Sequence, residues 1–182
     1  MRQIQFMTLL AILGTTGLAH AAGWTVAETS TVTFTAEQQG SKFNGKFTEF
    51  TAEIDFDPAS PAAGSVVGVV TTDSVDSRDY DRDGRLVEGD WFDSTNHPEA
   101  RFESESIEAA GDGTFVAHGQ LTLKGETKPA DLTFSFDAGG ATAKFDGTLM
   151  IDRFEYNVGQ GWNDTYMVGK DVEVSVVLNL SR

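Results

Sequence analysis

Hydrophobic and polar positions alternate along most of the chain from residue 30 onward. An alternation of period two is typical of β-strands that bury one face. The first such segment places Val32, Phe34, Ala36 and Gln38 on one face and mostly threonines on the other. The pattern predicts eight strands, within residues 30–39, 46–57, 64–75, 100–109, 114–125, 131–138, 141–151 and 171–180.

Short turns join several of these segments, as at Gly111–Gly113 and Gly139–Gly140. Many short alternating strands joined by hairpins are typical of a β-sandwich or an up-and-down barrel. Because an open meander would expose two sheet edges, we expect the sheet to close on itself. The sequence therefore predicts an all-β, antiparallel fold with eight strands.

Small residues occupy several of the predicted inward positions, among them Ala52, Ala117, Gly119 and Gly147. The interior of an eight-stranded barrel is either filled by side chains or holds one small ligand. Small inward residues favour an open interior, but they could equally pack against the many Phe rings. The alternation alone leaves both interpretations open.

The N-terminus has the features of a secretory signal peptide. Arg2 supplies a positive charge, residues 6–18 form an apolar run, and Ala19–Ala21 is a small-residue cleavage site. The apolar run is too short to span a bilayer, so no stable membrane anchor is predicted. We expect residues 1–21 to be removed, with cleavage after Ala21 or Ala22. A single domain over residues 22–182 would then be periplasmic or secreted.

Charge and composition exclude several functions. The formal net charge of −15 repels phosphate backbones, so nucleic acid is not expected as a partner. The absence of cysteine excludes thiol nucleophiles and metal–thiolate sites. His97 and His118 belong to no recognisable catalytic grouping, and no enzyme activity is predicted. A monomer and a dimer are both compatible with the sequence.

The segment from Asp79 to Asp90 has the spacing of an EF-hand calcium loop. Asp79, Asp81 and Asp83 alternate, Gly84 stands at position 6, and Asp90 stands at position 12. Position 12 usually carries a bidentate Glu, and the segment before the loop reads as a strand instead of a helix. We interpret the stretch as a loop with a short helix. A calcium-binding module through Asp79, Asp81, Asp83 and Asp90 is the weaker alternative.

Four blocks of the sequence carry recognisable motifs. One is DRDGRLVEGDWFDSTNHPEARFES, with Arg82, Asp83, Leu86, Asp90, Phe92, Pro98, Phe102 and Ser104. The others are GKFTEFTAEIDFDP, GQLTLKGETKPADL and IDRFEYNVGQGWND. In their order along the chain these blocks resemble the YceI-like polyisoprenoid-binding family, and the eight residues match its Arg-Asp…Leu…Asp-Phe…Pro…Phe-x-Ser signature. The resemblance runs from Trp24 to about Leu180.

This resemblance implies an eight-stranded, lipocalin-like barrel with a short helix near one mouth. It also implies an exported protein that holds a hydrophobic small molecule of the isoprenoid, quinone or fatty-acyl type. No cofactor is expected beyond that bound lipid. A calcium-binding module, or a filled barrel that acts only through its surface, remains the alternative function.

The candidate ligand-binding residues follow from the apolar phase of each strand. Those expected to face the barrel interior are Phe34, Gln38, Phe50, Ile54, Phe102, Leu121, Leu123, Phe134, Phe145 and Leu149. Leu86, Trp91 and Phe92 are expected near the mouth beside the short helix, and Trp162 at the rim. Gln38 is the one polar member, and a buried amide requires a hydrogen-bond partner. The alternative is that Gln38 lies at the end of its strand, in water.

Overall fold

The structure is a computed structural model that describes residues 23–182. The predicted signal peptide, residues 1–21, lies outside the described residues. Within residues 23–182, no helix combines the length and the apolar character needed to cross a membrane.

The described chain is almost entirely β-structure. Its strands are β1 (Thr25–Val26), β2 (Thr31–Gln38), β3 (Ser41–Phe47), β4 (Phe50–Asp55), β5 (Ser65–Thr71), β6 (Val75–Asp76), β7 (Glu99–Gly111), β8 (Thr114–Leu123), β9 (Glu126–Gly139), β10 (Thr142–Asp152) and β11 (Asp171–Ser181). One α-helix, α1, spans Tyr80–Leu86, as the sequence predicted for the Asp-rich stretch. Short 3-10 helices span Pro61–Ala63, Thr72–Ser74 and Arg153–Tyr156.

All the strands belong to one antiparallel sheet. Its order is β4-β5-β7-β8-β9-β10-β11-β2-β3-β6, and β1 pairs with β11. The sheet curls until its two ends lie together, because only Thr48 and Glu49 separate β3 from β4. Backbone hydrogen bonds from Thr48 to Ser74 and from Thr71 to Glu49, both 3.0 Å, hold the ends in place. The fold is therefore all-β and barrel-like, as predicted.

The predicted number of strands is wrong, since the sheet has eleven and not eight. Strands β1 and β6 have two residues each, too few to show an alternation. Strand β3 escaped prediction because its sequence, SKFNGKF, is mostly polar and contains a glycine. It forms because Gln39 and Gly40 adopt positive φ angles of 52° and 71°, which make a tight hairpin turn after β2.

A bulge changes the predicted faces of β7. The pairing with β8 shifts between Ser104 and Ser106, so Ser106 is exposed and Ile107 is buried, whereas the period of two that places Phe102 inward would bury Ser106. The bulge brings the Glu103 backbone so close to Gly119 that a Cβ at position 119 would overlap it. Gly119 therefore permits close approach of two strands and does not leave free space inside the sheet.

The interior is filled at one end of the barrel. Trp24, Phe56, Phe115, Phe134 and Phe136 form this aromatic end, where each residue is at most 8% exposed. The Phe56 ring lies 4.9 to 5.1 Å from the other three Phe rings, in edge-to-face geometry. The filled interpretation of the interior is therefore correct for this end only.

Candidate functional site

An apolar chamber lies inside the sheet, between the aromatic end and a cap of two segments. The cap consists of residues 78–92, which include α1, and residues 153–170, which join β10 to β11. The chamber volume is about 190 Å³. The second half of the interior is therefore open, in agreement with the other interpretation of the sequence.

The chamber wall is hydrocarbon almost throughout. Besides Thr51, glycines and Arg153, its side chains are those of Val, Phe, Ala, Ile, Leu and Trp. Gly68 lies opposite Ala52 and Phe102, which both line the chamber, and a Cβ at Gly68 would meet no atom within 4 Å. The free space therefore begins directly at the backbone of β5.

Eleven of the fourteen predicted ligand-binding residues line the chamber. They are Phe34, Phe50, Ile54, Leu86, Trp91, Phe92, Phe102, Leu121, Leu123, Phe145 and Leu149. The two-residue period of the strands was sufficient to find those on β2, β4, β7, β8 and β10. Leu86, Trp91 and Phe92 lie in the cap, as the sequence predicted for the mouth.

Gln38 does not line the chamber, contrary to the prediction. It is the last residue of β2 and is exposed. Its side-chain oxygen accepts a hydrogen bond of 3.1 Å from Arg82 Nη1 of α1. The amide therefore has a partner at the surface and does not contact the chamber.

Phe134 and Trp162 are also absent from the wall. Phe134 is only 1% exposed, but it is buried in the aromatic end, where it stacks on Phe145 at 4.6 Å. Trp162 lies outside the chamber, with its ring 6.4 Å from the ring of Trp91. Its position near the rim agrees with the sequence prediction, although it makes no part of the chamber wall.

The prediction missed several lining residues. Phe43 was missed because no strand was predicted at residues 41–45. Phe47 was missed because the predicted strand over residues 46–57 ran through the turn at Thr48 and Glu49, so that Phe47 took the outward phase. Val172, Val174 and Val176 line the chamber from β11, and their alternation was visible in the sequence. Their alternation alone does not show that they face the chamber. The position of β11 beside β2 does, and only the strand pairing in the structure reveals that position.

Arg153 is the most deeply buried cation among the described residues, at 3% exposure. Its Nε donates to the Gly169 carbonyl at 2.9 Å, and Nη1 donates to Val158 and Gly159 at 2.9 and 2.8 Å. Nη2 donates to Trp162 and Val168 at 2.6 and 3.1 Å. All five donors of the guanidinium are thus occupied by backbone carbonyls.

The electrostatic environment of Arg153 is unusual because no carboxylate pairs with it directly. Burial lowers the pKa of the guanidinium, and the nearby charge of Asp152 opposes that shift. The Phe154 ring lies 4.1 Å from its central carbon and the Trp91 ring 5.8 Å, both within cation–π range. Arg153 therefore fixes the path of residues 158–169 over the chamber.

A polar network attaches α1 to the sheet. Asp79 caps the helix by accepting from the backbone N–H of Arg82 at 3.1 Å. The Arg82 side chain donates to Ser77 at 2.8 Å and to Gln38, and its guanidinium lies 3.9 Å above the Phe43 ring. Asp83 accepts from the backbone and the hydroxyl of Ser77 at 2.8 and 2.5 Å.

These contacts bear on the calcium alternative. Residues 80–86 form a helix, whereas an EF-hand loop must wrap around the ion. Asp79 and Asp83 are engaged with N–H and O–H donors of their own segment. In the part of the chain that the structure describes, no group of three or more His, Asp or Glu residues is arranged to hold a metal ion.

A curled antiparallel sheet around an apolar chamber defines a barrel-like protein with room for a hydrophobic molecule. Residues 24–180 match the family model of the YceI-like domain, and the chain belongs to that family. A UPF0312 protein of Vibrio cholerae is 31% identical over 160 residues, which are 82% of this chain and 85% of that protein. A UPF0312 protein of Pseudomonas aeruginosa is 30% identical over 162 residues, 84% of each chain.

Two solved structures have the same fold. The crystal structure of Burkholderia cenocepacia BcnA has a TM-score of 0.82 and 33% identity, and the match covers 85% of this chain and 99% of that one. A polyisoprenoid-binding domain from Saccharophagus degradans, implicated in plant cell wall breakdown, has a TM-score of 0.68. Its identity is 16%, over 89% of this chain and 99% of that domain, so it supports the fold alone.

Proposed function

We propose that this protein binds an isoprenoid or a related long-chain lipid and carries or sequesters it as an exported protein. The observation that carries the proposal is the open apolar chamber inside the sheet, between the aromatic end and the cap. Membership of the YceI-like family supports it, and a neighbour in fold is a polyisoprenoid-binding domain. The hydrocarbon chain would lie against Phe34, Phe50 and Leu123.

Chain length decides the affinity of such a site. Each buried CH₂ contributes about 0.8 kcal/mol, so about ten of them give roughly 8 kcal/mol, or a micromolar dissociation constant before ordering costs. The chamber of about 190 Å³ is little larger than the cavity of about 150 Å³ that holds one benzene molecule in another protein. Only part of a long isoprenoid can therefore lie within this volume.

The cations around the chamber argue for an uncharged headgroup. Arg153 lines the chamber, but its five donors are occupied by carbonyls. Lys46 lies 3.6 Å from Asp76. The two cap segments and residues 38–42 together carry six basic and seven acidic side chains, so a diphosphate would find no excess of positive charge there. A quinone-like or other neutral headgroup fits these surroundings better.

We propose a binding role without catalysis. Arg153 is the one ionisable residue in the chamber wall, and its donors hold the cap segment. A wall of hydrocarbon offers neither a nucleophile nor a proton donor for a reaction on the bound chain. No enzyme activity is needed to explain the arrangement.

The proposal of export is supported by the N-terminal pattern of Arg2, the apolar run and Ala19–Ala21. The intact mass of protein recovered from the periplasm or the medium tests this part of the proposal. A mass without residues 1–21 is expected, and a mass that still includes them would contradict it.

Filling the chamber tests ligand binding. Gly68→Phe places a ring in the free space beside β5, where a Cβ meets no atom and φ is not left-handed. The matched control is Gly139→Phe, because Gly139 is also in a strand but exposed, and its Cβ would also meet nothing. Both variants should fold by circular dichroism. Only Gly68→Phe should lose the lipid that co-purifies with the wild type.

Native mass spectrometry of protein expressed in its own host measures the result. A folded Gly68→Phe protein with the wild-type lipid content would show that the ligand does not lie in the chamber. An absence of any lipid from the wild type, even after incubation with a polyprenol or a long-chain quinone, would contradict the proposed function itself.

A further inference from the structure

Exposed aromatic side chains are concentrated on the cap. Among residues 23–182, four large hydrophobic side chains are exposed, and three of them belong to the cap. Tyr80 is 92% exposed on α1, and Tyr166 and Trp162 are 65% and 36% exposed on the segment that joins β10 to β11. The fourth, Met150, lies on the outer face of β10. Aromatic exposure is therefore specific to the end that covers the chamber.

The three aromatic residues lie on neighbouring elements. The turn between β2 and β3 joins the two cap segments, since Gln38 bonds to Arg82 and Gln39 donates to the Met167 carbonyl at 3.2 Å. Tyr166 lies against this turn, because a Cβ at Gly40 would be 3.3 Å from its ring. The ring of Trp162 packs near that of Trp91, which lines the chamber.

Charge is distributed unevenly between this end and the rest of the molecule. The cap and residues 38–42 together carry six basic and seven acidic side chains. The other residues from 23 to 182 carry six basic and twenty-one acidic ones. The cap end is thus nearly neutral, whereas the walls and the opposite end carry almost all the negative charge.

We propose that the cap end docks reversibly on the surface of a zwitterionic lipid bilayer, with Tyr80, Trp162 and Tyr166 in the interfacial region. Tyr and Trp prefer this region because a ring can be buried while its polar atom stays hydrated. The near-neutral cap can approach the headgroups while the acidic walls point toward water. A hydrophobic chain could then pass between bilayer and chamber without crossing water. This inference rests on the proposed lipid-binding function.

Sedimentation with vesicles of phosphatidylcholine alone tests the docking. The wild type should partition onto the vesicles, and Tyr80→Ser/Tyr166→Ser should reduce the partition coefficient by about tenfold. Met150→Ser is the matched control, because it removes an exposed apolar side chain from the wall, and it should bind like the wild type. Docking should shift the tryptophan emission of the wild type and of Met150→Ser to shorter wavelength, because Trp162 is the one exposed Trp among the described residues.

Three results would overturn the inference. In the first, the wild type stays in solution. In the second, the double variant binds vesicles as well as the wild type. In the third, Met150→Ser loses as much binding as the double variant. If the wild type does not bind vesicles, a protein partner is the remaining candidate for this surface.

A second comparison separates docking from ligand binding. The double variant should keep its affinity for a polyprenol delivered in detergent but take it up several times more slowly from vesicles. Gly68→Phe should show the reverse, with normal docking and no bound lipid. If the double variant binds vesicles normally but Gly68→Phe is empty, docking by the cap is wrong and the chamber is correct. If neither variant changes lipid content or uptake, both ideas are wrong.

Discussion

The ring of Phe34 lies directly on the backbone of Gly45, its partner on the neighbouring strand. A Cβ at Gly45 would overlap the ring, so the glycine leaves the space in which the ring sits. On either side along β3, Phe43 and Phe47 contact the same ring at 6.1 and 5.8 Å between centroids. This arrangement sets the position of Phe34 in the chamber wall.

We expect Gly45→Ala to destabilise the protein by roughly 1–3 kcal/mol, because the new methyl group forces Phe34 out of its place. The matched control is Gly68→Ala, where the methyl group enters free space, and its effect should be neutral or slightly stabilising. Urea unfolding measures both. Equal stabilities of the two variants would show that Phe34 can move at no cost.

How far the sequence predicts the site depends on the regularity of each strand. Phe34, Phe50 and Leu149 were found because their strands alternate without interruption. Phe43 and Phe47 were not found, because Gly45 stands between them where an apolar side chain would mark the inward phase of β3. The ring of Phe34, on another strand, fills the space that Gly45 leaves, and a local sequence pattern cannot show such a contact.

The ends of the elements were harder to predict than their middles. Gln38 has the right phase to face inward, but β2 ends there and Arg82 binds its side chain at the surface. Arg153 is visible in the sequence only as a cation within the block IDRFEYNVGQGWND, and its role depends on the path of residues 158–169. These residues show no periodic pattern of apolar positions, because hydrogen bonds from the Arg153 guanidinium to their carbonyls hold them in place.

Replacement of Arg153 should loosen the cap. Arg153→Met leaves the five carbonyls without their donor, and we expect a loss of at least about 3 kcal/mol in the free energy of unfolding. Arg153→Lys should lose less, because an ammonium can serve at most three of them. Arg101→Met, which removes an exposed arginine 3.0 Å from Glu103, should change stability by less than about 0.5 kcal/mol.

Urea unfolding ranks the three variants, and the expected order of loss is Arg153→Met, Arg153→Lys and Arg101→Met. Hydrogen exchange of the amides in residues 158–169 should speed up in both Arg153 variants but not in Arg101→Met. If Arg153→Lys equalled the wild type, the carbonyl contacts of the guanidinium would not be what holds this segment.

The Asp79–Asp90 stretch should not bind calcium at micromolar concentrations. Its central residues are helical, and Asp79 and Asp83 already accept hydrogen bonds from their own segment. Calorimetry of chelator-treated protein measures this directly. Saturable heat at one ion per chain that is lost in Asp81→Ala would contradict the expectation. Asp112→Ala, in a turn between β7 and β8, is the control for a non-specific loss of charge.

Stability should depend on the protonation of His118. This partly exposed residue on β8 lies 2.7 Å from Asp131 on β9 and 3.4 Å from Glu108 on β7, one at each ring nitrogen. The hydrogen bond to Asp131 is the main cause that raises the pKa of the imidazole above its ordinary value of 6.5, and the hydrogen bond to Glu108 is the second. A proton-resonance titration should find the raised pKa in the wild type and a lower one in Asp131→Asn.

The sign of the stability effect follows from that direction. Protonation of a group whose pKa is higher in the folded than in the unfolded protein stabilises the fold. This contribution is complete below about pH 6.5, and it disappears as the pH rises through the pKa of the folded protein. The difference in unfolding free energy between the wild type and His118→Gln should therefore favour the wild type most at about pH 6 and shrink by about pH 9. Because the two proteins share every carboxylate, the difference between them isolates the histidine. If that difference stays constant over this pH range, the charged ring gains nothing from Asp131 and Glu108. The same conclusion would follow if the measured pKa of His118 were at or below its ordinary value.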